Sequence, residues 1–519
     1  MSATATASLP DRLYAADGVQ ALDRCAIDEH GVPGYDLMQR AARSAFRQLV
    51  RHWPLARSVL VLCGAGNNGG DGYLVADAAH RQGFSVRCVA VSDPARLKGD
   101  ARTAFESATA NGVSLTQWGR DADADQLDDW LKQADVTVDA LLGTGITGPL
   151  RAPFDQVIAC VRRSGCAVLA VDVPSGLDAT SGWIETDAVE ATATVTFIGL
   201  KAGLLTGRGP DVCGDLVFDD LGVPGAIYDA VPAIAQRVDW NRVAGHLPAR
   251  RRGAHKGDCG RLLVVAGDQG FGGAGLLAAE AAARTGAGLV TLATRADYVG
   301  AALARCPSLM VRGVEHGNEL ALLVSGADVI VFGPGAGQGA WGQQMLQQVL
   351  TFDGPLLVDA DGLNLMASRA VEPRDNWILT PHPGEAARLL ECDNRAIGCD
   401  RLAAVNALQA RYGGVALLKG AGTLVQADAL DLPVLVQGGN PGMATGGMGD
   451  VLSGIIGALV AQGVPAAQAT VLGASLHAEA ADRAALEKGF MGLLPMDLID
   501  RLPSVLGEAE GVLLPLGYQ

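Results

Sequence analysis

The sequence feature that most constrains the fold is a repeated pattern of short apolar runs, each followed by a glycine-bearing turn and an amphipathic or alanine-rich stretch. This pattern is typical of parallel strands buried between crossover helices. It predicts helices such as 36–50 and 154–163. The predicted strands of the first half are 58–62, 85–91, 136–141, 167–172 and 193–198. Those of the second half are 261–266, 289–293, 328–332, 356–359, 377–379 and 415–418. Both halves are therefore expected to be α/β.

The length and one change in composition predict two domains. At about 100 to 200 residues per domain, a chain of 519 residues exceeds a single compact core. Residues 211–252 differ from their surroundings in their glycines and prolines and end in the basic cluster Arg250, Arg251 and Arg252. No period of about 20 to 50 residues recurs, which excludes a solenoid. We predict domains at 1–235 and 236–519.

Charge and composition exclude several classes of protein. With 40 Lys and Arg against 56 Asp and Glu, the net charge is −16, which argues against a general binder of nucleic acid or anionic membranes. The chain is 49% hydrophobic and 18% charged, as expected of a soluble globular protein. No unbroken apolar run of about 20 residues, no export signal and no paired cysteine motif is apparent. We expect a cytoplasmic protein with neither a nucleic-acid nor a membrane partner.

A glycine-rich loop, residues 64–72, follows the first predicted strand of the first half and reads Gly-Ala-Gly-Asn-Asn-Gly-Gly-Asp-Gly. Free N–H groups at a helix start stabilise an anion, so phosphate binding is the natural interpretation. The spacing Gly64-x-Gly66-x-x-Gly69 also satisfies the dinucleotide fingerprint, with Asp93 as the ribose-binding acid. Asp71 is unexpected in a dehydrogenase loop, because its carboxylate would repel a pyrophosphate. A glycine turn without a ligand is the remaining alternative.

Two further loops, residues 139–149 and 171–178, end the next strands, and all three loops are expected to meet at one crevice. Asn68, Asp139, Asp172 and Ser175 offer oxygen ligands for a hard cation, with a monovalent ion as one option. Taken singly, each aspartate could instead be a helix cap or turn residue.

These loops, together with Phe-Ile-Gly-Leu-Lys at 197–201, resemble in order and content the N-terminal domain of NAD(P)H-hydrate repair proteins. That Rossmann-like, three-layer α/β/α domain epimerises hydrated NADH and NADPH. The resemblance implies that Asn68, Asp139 and Ser175 bind potassium and that Asp172 contacts the nicotinamide. Proton exchange at the hydrated carbon suggests Asp172 and Lys201 as catalytic residues, although Lys201 could also be a surface or phosphate-pairing lysine. The residues implied to hold the nucleotide are Asn67, Asn68, Gly69, Gly70, Asp71, Gly143, Thr144, Gly145, Ile146, Thr147, Gly148 and Pro149.

The most informative stretch of the second half is residues 438–450, which runs into a helix beginning near Val451. Its glycine N–H groups can stabilise a transferring phosphoryl group, while Asp450 can accept a hydroxyl proton. The spacing is not that of a P-loop. A packing helix capped by Asp450 is the alternative. Upstream, Lys419 ends a strand and starts a hairpin, and His382 lies between two prolines, where we favour a substrate contact over a structural role.

Residues 440–447 and 450–454, with His255-Lys256-Gly257, are similar to the ADP-dependent NAD(P)H-hydrate dehydratase domain of the ribokinase-like superfamily. The two resemblances cover about residues 13–501. Met448 departs from the usual threonine, and Ser308 from a frequent glutamate, which puts rate rather than reaction type in doubt. The implied substrate contacts are Ala274, Gly335, His382 and Asp450. The implied contacts to ADP, or to ATP, are Lys419, Gly420, Ala421, Gly422, Thr423 and Gly449.

The combined resemblance implies metabolite repair by a homo-oligomeric enzyme. One domain would interconvert the epimers, and the other would phosphorylate the ring hydroxyl, lose phosphate and regenerate NADH or NADPH, with Mg²⁺ assisting the transfer. One alternative is a ribokinase-like kinase for a small molecule such as a vitamin precursor, with an accessory first domain. Another is a dehydrogenase or NAD-sensing module, which the glycine fingerprint suggests.

Overall fold

The computed structural model describes residues 9–145 and 148–511. The chain divides into two compact units, with the boundary between Gln236 and Arg237, inside one strand. The elements up to this boundary are β1 Arg12–Tyr14, α1 Ala16–Arg24, α2 Gly34–His52, β2 Ser58–Cys63, α3 Asn67–Arg81, β3 Ser85–Ala90, α4 Gly99–Ala110, β4 Ser114–Gln117, α5 Ala124–Gln133, β5 Val136–Ala140, α6 Phe154–Ser164, β6 Val168–Val171, β7 Ala193–Phe197, β8 Leu200–Lys201, α7 Gly209–Val212, β9 Asp215–Asp219, α8 Ile227–Ala230 and β10 Ala235–Val238.

The first unit is built on a parallel sheet with strand order β4-β3-β2-β5-β6-β7-β9. Every strand predicted in this half is present within one or two residues of its expected ends. The direction in which strands are added to the sheet reverses between β2 and β5. The strands β3 and β4 extend the sheet from β2 towards one edge, and the chain then returns to place β5 on the other side of β2. Ligands of open α/β sheets bind at such a switch point.

Alternate side chains of β2 pack against helices on opposite faces of this sheet. Val59 and Val61 belong to an apolar cluster with residues of α2, α3 and α4. Leu60 and Leu62 belong to a second cluster with residues of α5 and α6. Because successive side chains of a strand point to opposite faces, burial on both sides requires helices above and below. The three-layer α/β/α arrangement expected for this half is confirmed.

The second unit is also a parallel α/β structure. Its elements after β10 are α9 Trp240–Val243, β11 Arg261–Val265, α10 Gly272–Thr285, β12 Leu289–Thr294, α11 Val299–Arg305, β13 Met310–Gly313, α12 Gly317–Ser325, β14 Val329–Phe332, α13 Ala340–Val349, β15 Leu356–Val358, α14 Asp361–Ala367, β16 Trp377–Leu379, α15 Pro383–Leu390, α16 Asn394–Cys399, α17 Arg401–Tyr412, β17 Val415–Leu418, β18 Thr423–Ala427, β19 Val434–Val436, α18 Met448–Ala461, α19 Ala466–Lys488 and α20 Pro495–Ala509.

The strands β11 to β19 follow the order β13-β12-β11-β14-β15-β16-β17-β18-β19. The first seven are parallel, and the last two pair antiparallel through the predicted hairpin after β17. Helices α10, α18, α19 and α20 share one large apolar cluster with β11 and β14. The glycine-rich segment 438–447 therefore leads into a helix packed within the core. Among the described residues, no helix combines the length and apolarity needed to cross a membrane.

Candidate active sites

The loops after β2 and β5 approach each other closely at the switch point of the first sheet. A Cβ atom added to Gly64 would lie 1.9 Å from the carbonyl oxygen of Leu141. One added to Gly69 would lie 2.1 Å from the carbonyl oxygen of Gly64. Any larger residue would collide with backbone, so glycine is required for this approach. The helix α3 begins immediately beyond, at Asn67.

A cavity of about 930 Å³ opens at this point, and most of the sequence-predicted residues line it. Gly69, Gly70 and Gly148 do not line it, and Gly70 faces Met38 instead. The predicted contacts Ile146 and Thr147 lie outside the described residues. The predicted residues that line the cavity are Asn67, Asn68, Asp71, Gly143, Thr144, Gly145, Pro149, Asp172 and Lys201. The three loops thus meet at one crevice.

Lys201 is completely buried and directed at Asp172. Its Nζ donates hydrogen bonds to Asp172 Oδ1, to Thr196 Oγ1 at 3.0 Å and to the carbonyl of Phe197 at 3.0 Å. All three ammonium donors therefore have acceptors, and the lysine is not on the surface. Asp172 Oδ1 also accepts from the Phe197 N–H at 3.3 Å. The backbone of Asp172 has φ 69°, in the left-handed region.

Two further acids, Asp23 and Asp71, line the cavity near this ion pair. Burial raises the pKa of Asp71 well above its usual range, and the negative charges of Asp172 and Asp23 add to the shift. Burial likewise raises the pKa of Asp23 to about 6, and Lys201 opposes the shift. The cavity thus holds three carboxyl groups, of Asp23, Asp71 and Asp172, of which Asp172 contacts the ammonium group of Lys201. Ionising all three in this partly desolvated crevice would be costly in free energy.

Asp139 and Ser175 lie buried beneath the loop after β5. The carboxylate of Asp139 accepts from Ser175 Oγ at 2.6 Å and from the Ser175 N–H at 2.8 Å. Burial raises the pKa of Asp139 to about 6, although the hydrogen bonds from Ser175 oppose this. Asn68 Nδ2 donates to the carbonyl of Leu142, 3.1 Å away, whereas its buried Oδ1 has no hydrogen-bond partner among the described residues. The same Leu142 carbonyl accepts from Ser175 Oγ at 3.2 Å, which links Asn68 to the pair of Ser175 and Asp139. A buried amide oxygen without a donor in this setting fits a bound monovalent cation.

The side chain of Asp93 caps a neighbouring turn of its own chain segment. It accepts a hydrogen bond from the Ala95 N–H at 3.0 Å and caps the short helical turn Pro94–Arg96. This contact accounts for an aspartate at that position without a ribose ligand.

In the second unit, the start of α18 lies against Lys419. A Cβ atom added to Gly449 would lie 3.1 Å from Lys419 Nζ and 3.5 Å from Asp359 Oδ2. Lys419 Nζ donates to Asp359 Oδ1 at 2.7 Å and is 3.9 Å from Glu385 Oε2. Ser453 Oγ, one turn into α18, donates to Asp359 Oδ2 at 2.8 Å. The predicted contacts Lys419 and Gly449 are therefore adjacent, next to Asp450.

Asp450 is largely buried, and burial raises its pKa to about 7. Asp359 raises the pKa further, and Lys419 partly opposes the shift. For Lys419, burial alone would lower the pKa, but the carboxylates of Asp359 and Glu385 outweigh it and the pKa is raised. An ionised lysine thus stands beside a carboxyl group that titrates near neutrality, which suits a general base.

His382 caps the helix α15. Its Nδ1 accepts from the Gly384 N–H at 2.9 Å, while Glu385 Oε2 accepts from the His382 N–H at 2.8 Å. Burial, followed by the positive charge of Lys419, lowers the pKa of His382. Because Nδ1 accepts a hydrogen bond, the ring proton is assigned to Nε2, and the half-exposed side chain can still contact a ligand.

Ala274 and Gly335 lie together at the switch point of the second sheet. A Cβ atom added to Gly335, whose φ is +56°, would lie 3.0 Å from the Cβ of Ala274. Two residues on, the N–H of Gly337 donates to Asp361 Oδ2 at 2.9 Å. The loop after β14 is thereby tied to the segment after β15, which holds Asp359.

The glycine turn after β17 is supported by the buried Arg401. Its Nη2 donates to the carbonyls of Lys419 at 3.2 Å and Gly422 at 3.4 Å. Burial lowers the pKa of Arg401 to about 10. In the same turn, Thr423 Oγ1 donates to the carbonyl of Gly420 at 3.1 Å. One turn, which Arg401 stabilises through these hydrogen bonds, thus contains all five predicted ADP contacts of this segment: Lys419, Gly420, Ala421, Gly422 and Thr423.

Comparisons with known proteins match both units. A family model described as YjeF-related protein N-terminus matches residues 34–203, and one described as NAD(P)H-hydrate dehydratase matches residues 262–504. The bifunctional NAD(P)H-hydrate repair enzyme Nnr of Coxiella burnetii is 44% identical, covering 94% of this chain and 98% of that protein. The Escherichia coli protein of the same name is 43% identical, covering 96% and 95%. This chain belongs to the bifunctional NAD(P)H-hydrate repair enzyme family.

The repair enzyme family extends to more distant organisms. A bifunctional NAD(P)H-hydrate repair enzyme of Leishmania braziliensis is 37% identical, covering 96% of this chain and 93% of that protein. A solved structure of ADP/ATP-dependent NAD(P)H-hydrate dehydratase from Bacillus subtilis, co-crystallised with ATP and Mg²⁺, is 29% identical to this chain. The match covers 51% of this chain and 96% of that one, with a TM-score of 0.47. The family models, the full-length relatives and the two parallel α/β units confirm the family and the α/β fold class predicted from the sequence.

The two positions that depart from the repair enzyme pattern differ in environment. Met448, the first residue of α18, is 4% exposed and packs in the large apolar cluster. Ser308 is exposed in the loop between α11 and β13. At the start of α18, this chain therefore has an apolar side chain packed in the core where the family pattern has the hydroxyl group of a threonine.

Sequence reasoning missed three acids of these repair enzyme sites. Asp23 lies on α1, before the first glycine loop, and nothing in its local sequence marks it. Asp359 and Glu385 meet Lys419 only in the folded chain, from positions 60 and 34 residues away in sequence. The strand-end position of Asp359 was the available signal, since the predicted active-site residues also follow strands.

Proposed function

We propose that the protein repairs hydrated NADH and NADPH in two steps, one in each unit. The first unit interconverts the R and S epimers of the hydrate. The second unit uses ADP or ATP to phosphorylate the hydroxyl of the S form, and the loss of phosphate restores NADH or NADPH. The observation that carries the proposal is the pairing, within a chain of this family, of two separate acid and lysine sites at the carboxyl ends of parallel strands.

In the first unit, the loops lining the cavity hold the nucleotide while Asp172 faces the reacting carbon. Lys201 fixes one oxygen of Asp172, together with the Phe197 N–H. The other oxygen, Oδ2, is the one left to exchange a proton with the substrate. Epimerisation requires the hydroxyl to leave the hydrated carbon, or the ring to open, and to re-form on the other face, so a fixed carboxylate is an appropriate catalyst.

Asn68, Asp139 and Ser175 are proposed to hold K⁺ in this unit. The buried carboxylate of Asp139 and the unpartnered Oδ1 of Asn68 supply the oxygens that such an ion prefers. The bound ion would neutralise a buried negative charge and fix the two loops against each other.

In the second unit, Asp450 takes the proton of the ring hydroxyl as the phosphoryl group arrives. Free N–H groups at the start of α18 stabilise the phosphoryl charge, and Lys419 adds a positive charge at the same place. Water is a difficult elimination product because hydroxide leaves poorly, whereas phosphate leaves readily. Mg²⁺, when bound with the nucleotide, would neutralise charge on its phosphate oxygens.

The remaining sequence predictions complete the assignment of roles. Lys419, Gly420, Ala421, Gly422, Thr423 and Gly449 are proposed to bind the nucleotide. Ala274, Gly335 and His382 are proposed to contact the hydrated nicotinamide. Two further predictions from the sequence, that the protein forms a homo-oligomer and that it lies in the cytoplasm, stay predictions.

The deciding experiment supplies mixed hydrate epimers with ADP or ATP and follows reduced-nicotinamide absorbance and inorganic phosphate. We expect complete conversion, with one phosphate released per NADH or NADPH regenerated. A stable phosphorylated product without recovered absorbance would overturn the proposal in favour of a small-molecule kinase. Hydride transfer to a second substrate would instead favour a dehydrogenase.

A further inference from the structure

The helix α1 forms a wall of the cavity in the first unit and lies outside the parallel sheet. It begins two residues after β1, which pairs in parallel with β8, so that Tyr14 lies opposite Lys201. A Cβ atom added to Gly199 would lie 2.9 Å from side-chain atoms of Val19 and Leu22. The position of α1 is thus fixed against the strand that carries the catalytic lysine.

One face of α1 is turned towards the predicted substrate loops. Gln20 Nε2 donates to Thr144 Oγ1 at 3.4 Å. Val19, Asp23 and Ile27, spaced four residues apart, all line the cavity. Residues four apart share a face of an α-helix, so Asp23 projects from α1 beside Val19. Ile27 lies in the short helical segment Cys25–Glu29 that follows α1. It also lies before residues 34–203, to which the family model applies.

We infer that Asp23 is a second catalytic acid/base of the epimerase, acting on the face of the hydrated ring opposite Asp172. The inference rests on the proposed epimerase function. Lys201 has all its donors committed and cannot readily give a proton to the substrate. Asp23 and Asp172 come from different elements, and inversion by loss and re-addition of water needs proton exchange on both faces of the carbon.

The proposed step begins as the Asp23 carboxyl gives its proton to the hydroxyl group. The C–O bond breaks, water departs, and the ring nitrogen lone pair supports the carbon as an iminium ion. Water then adds to the other face, forms a new C–O bond and gives a proton to Asp172, while the electron pair returns to nitrogen. Solvent carries that proton back to Asp23, and the reverse reaction exchanges the two roles.

The charges around Asp23 agree with this role. Burial raises the pKa of Asp23 to about 6, with Asp172 adding to the shift and Lys201 and Arg24 opposing it. Burial also raises the pKa of Asp71, on α3, well above its usual range. Asp23 can therefore exchange its proton near neutrality.

The test compares Asp23→Asn with Asp17→Asn, an exposed aspartate on the same helix. Epimer interconversion is followed by NMR without nucleotide, and dehydration of the purified S form is measured separately. We expect Asp23→Asn to lose about 100-fold in epimerisation, as for removal of a general acid. Asp17→Asn should keep the wild-type rate, and all three proteins should dehydrate the S form equally.

Asp23→Glu and a pH profile separate catalysis from a structural role. We expect Asp23→Glu to recover at least about tenfold over Asp23→Asn, and wild-type kcat/KM to fall as pH rises above about 6. An Asp23→Asn protein with more than half the wild-type epimerisation rate, or an Asp23→Glu protein no better than Asp23→Asn, overturns the assignment. Wild-type protein that fails to interconvert the epimers overturns the proposed function itself.

Discussion

Each of the two units places a lysine beside aspartates at the carboxyl ends of parallel strands, but the ion pair has different surroundings in each. In the first unit, Lys201 binds Asp172, the acid that lines the cavity. In the second, Lys419 binds Asp359, which Ser453 also holds, and leaves Asp450 with a pKa raised to about 7. A lysine–aspartate ion pair can thus either fix a carboxylate that lines the cavity or lie beside a separate carboxyl group.

The largest expected effect tests the second unit. Asp450→Asn removes the proposed acceptor of the hydroxyl proton, so dehydration should fall by about 10³-fold, within the range for general-base removal. The rate of reduced-nicotinamide recovery from the S form measures this. Epimerisation should be unchanged, and Asp500→Asn, an exposed change in α20, should be silent. Equal loss of both activities would contradict the division of labour.

The corresponding change in the first unit should stop the reaction part-way. Asp172→Asn removes the carboxylate that Lys201 fixes, and we expect epimerisation to fall by about 10²-fold. Mixed hydrates should then be consumed only until the S form is exhausted, as residual R epimer in NMR spectra will show. The exposed Asp155→Asn is a matched control. Complete conversion at the wild-type rate would refute the role of Asp172.

The pH dependence of the rate should differ between the two reactions. In the proposed mechanism Asp450 acts as a base and must be ionised, so kcat/KM for dehydration should rise with pH through about 7. Epimerisation in the first unit should not follow this curve, since Asp450 has no part in it. A dehydration profile that is flat between roughly pH 6 and pH 8 would show that Asp450 is not the titrating base.

Potassium should affect only the first unit. Replacing K⁺ by choline should lower the epimerisation rate and the unfolding temperature of the wild-type protein, because the Asp139 carboxylate would lose its counter-charge. Asn68→Ala should abolish both responses by removing the unpartnered amide oxygen. Dehydration of the S form is the internal control. An ion response that survives in Asn68→Ala would place the cation elsewhere.

The smallest effect concerns Met448. Met448→Thr restores a hydroxyl at the start of α18 but removes buried apolar volume, at a cost of about 2 kcal/mol in the free energy of unfolding. We expect a lower unfolding temperature and a dehydration rate within about threefold of wild type, since the backbone donors remain. A change above tenfold would mean that the side chain at this position contributes directly to catalysis.

The sequence predicts the fold better than it predicts the environments of the site residues. Strands such as Ser58–Cys63 are found near their expected positions. The alternation of apolar runs with glycine-bearing turns depends only on neighbouring residues in the chain, so it can be read from the sequence. The meeting of the three loops of the first unit follows from sheet topology. Burial of Lys201 and the cap formed by His382 could not be predicted, since both depend on side chains brought together by tertiary packing. Asp23 illustrates the limit, because one aspartate on an amphipathic helix has no distinguishing pattern.

The left-handed backbone of Asp172 restricts what this position can accept. Aspartate, asparagine and glycine adopt a φ of 69° with little strain, while most other residues would incur about 1 kcal/mol or more. If residue 172 is replaced by every other amino acid, the variants with asparagine and glycine should therefore be about as stable to unfolding as the wild type. Most other variants should have a lower free energy of unfolding, whatever their effect on catalysis. Asparagine is the informative replacement, since it keeps the shape of the turn while removing the charge.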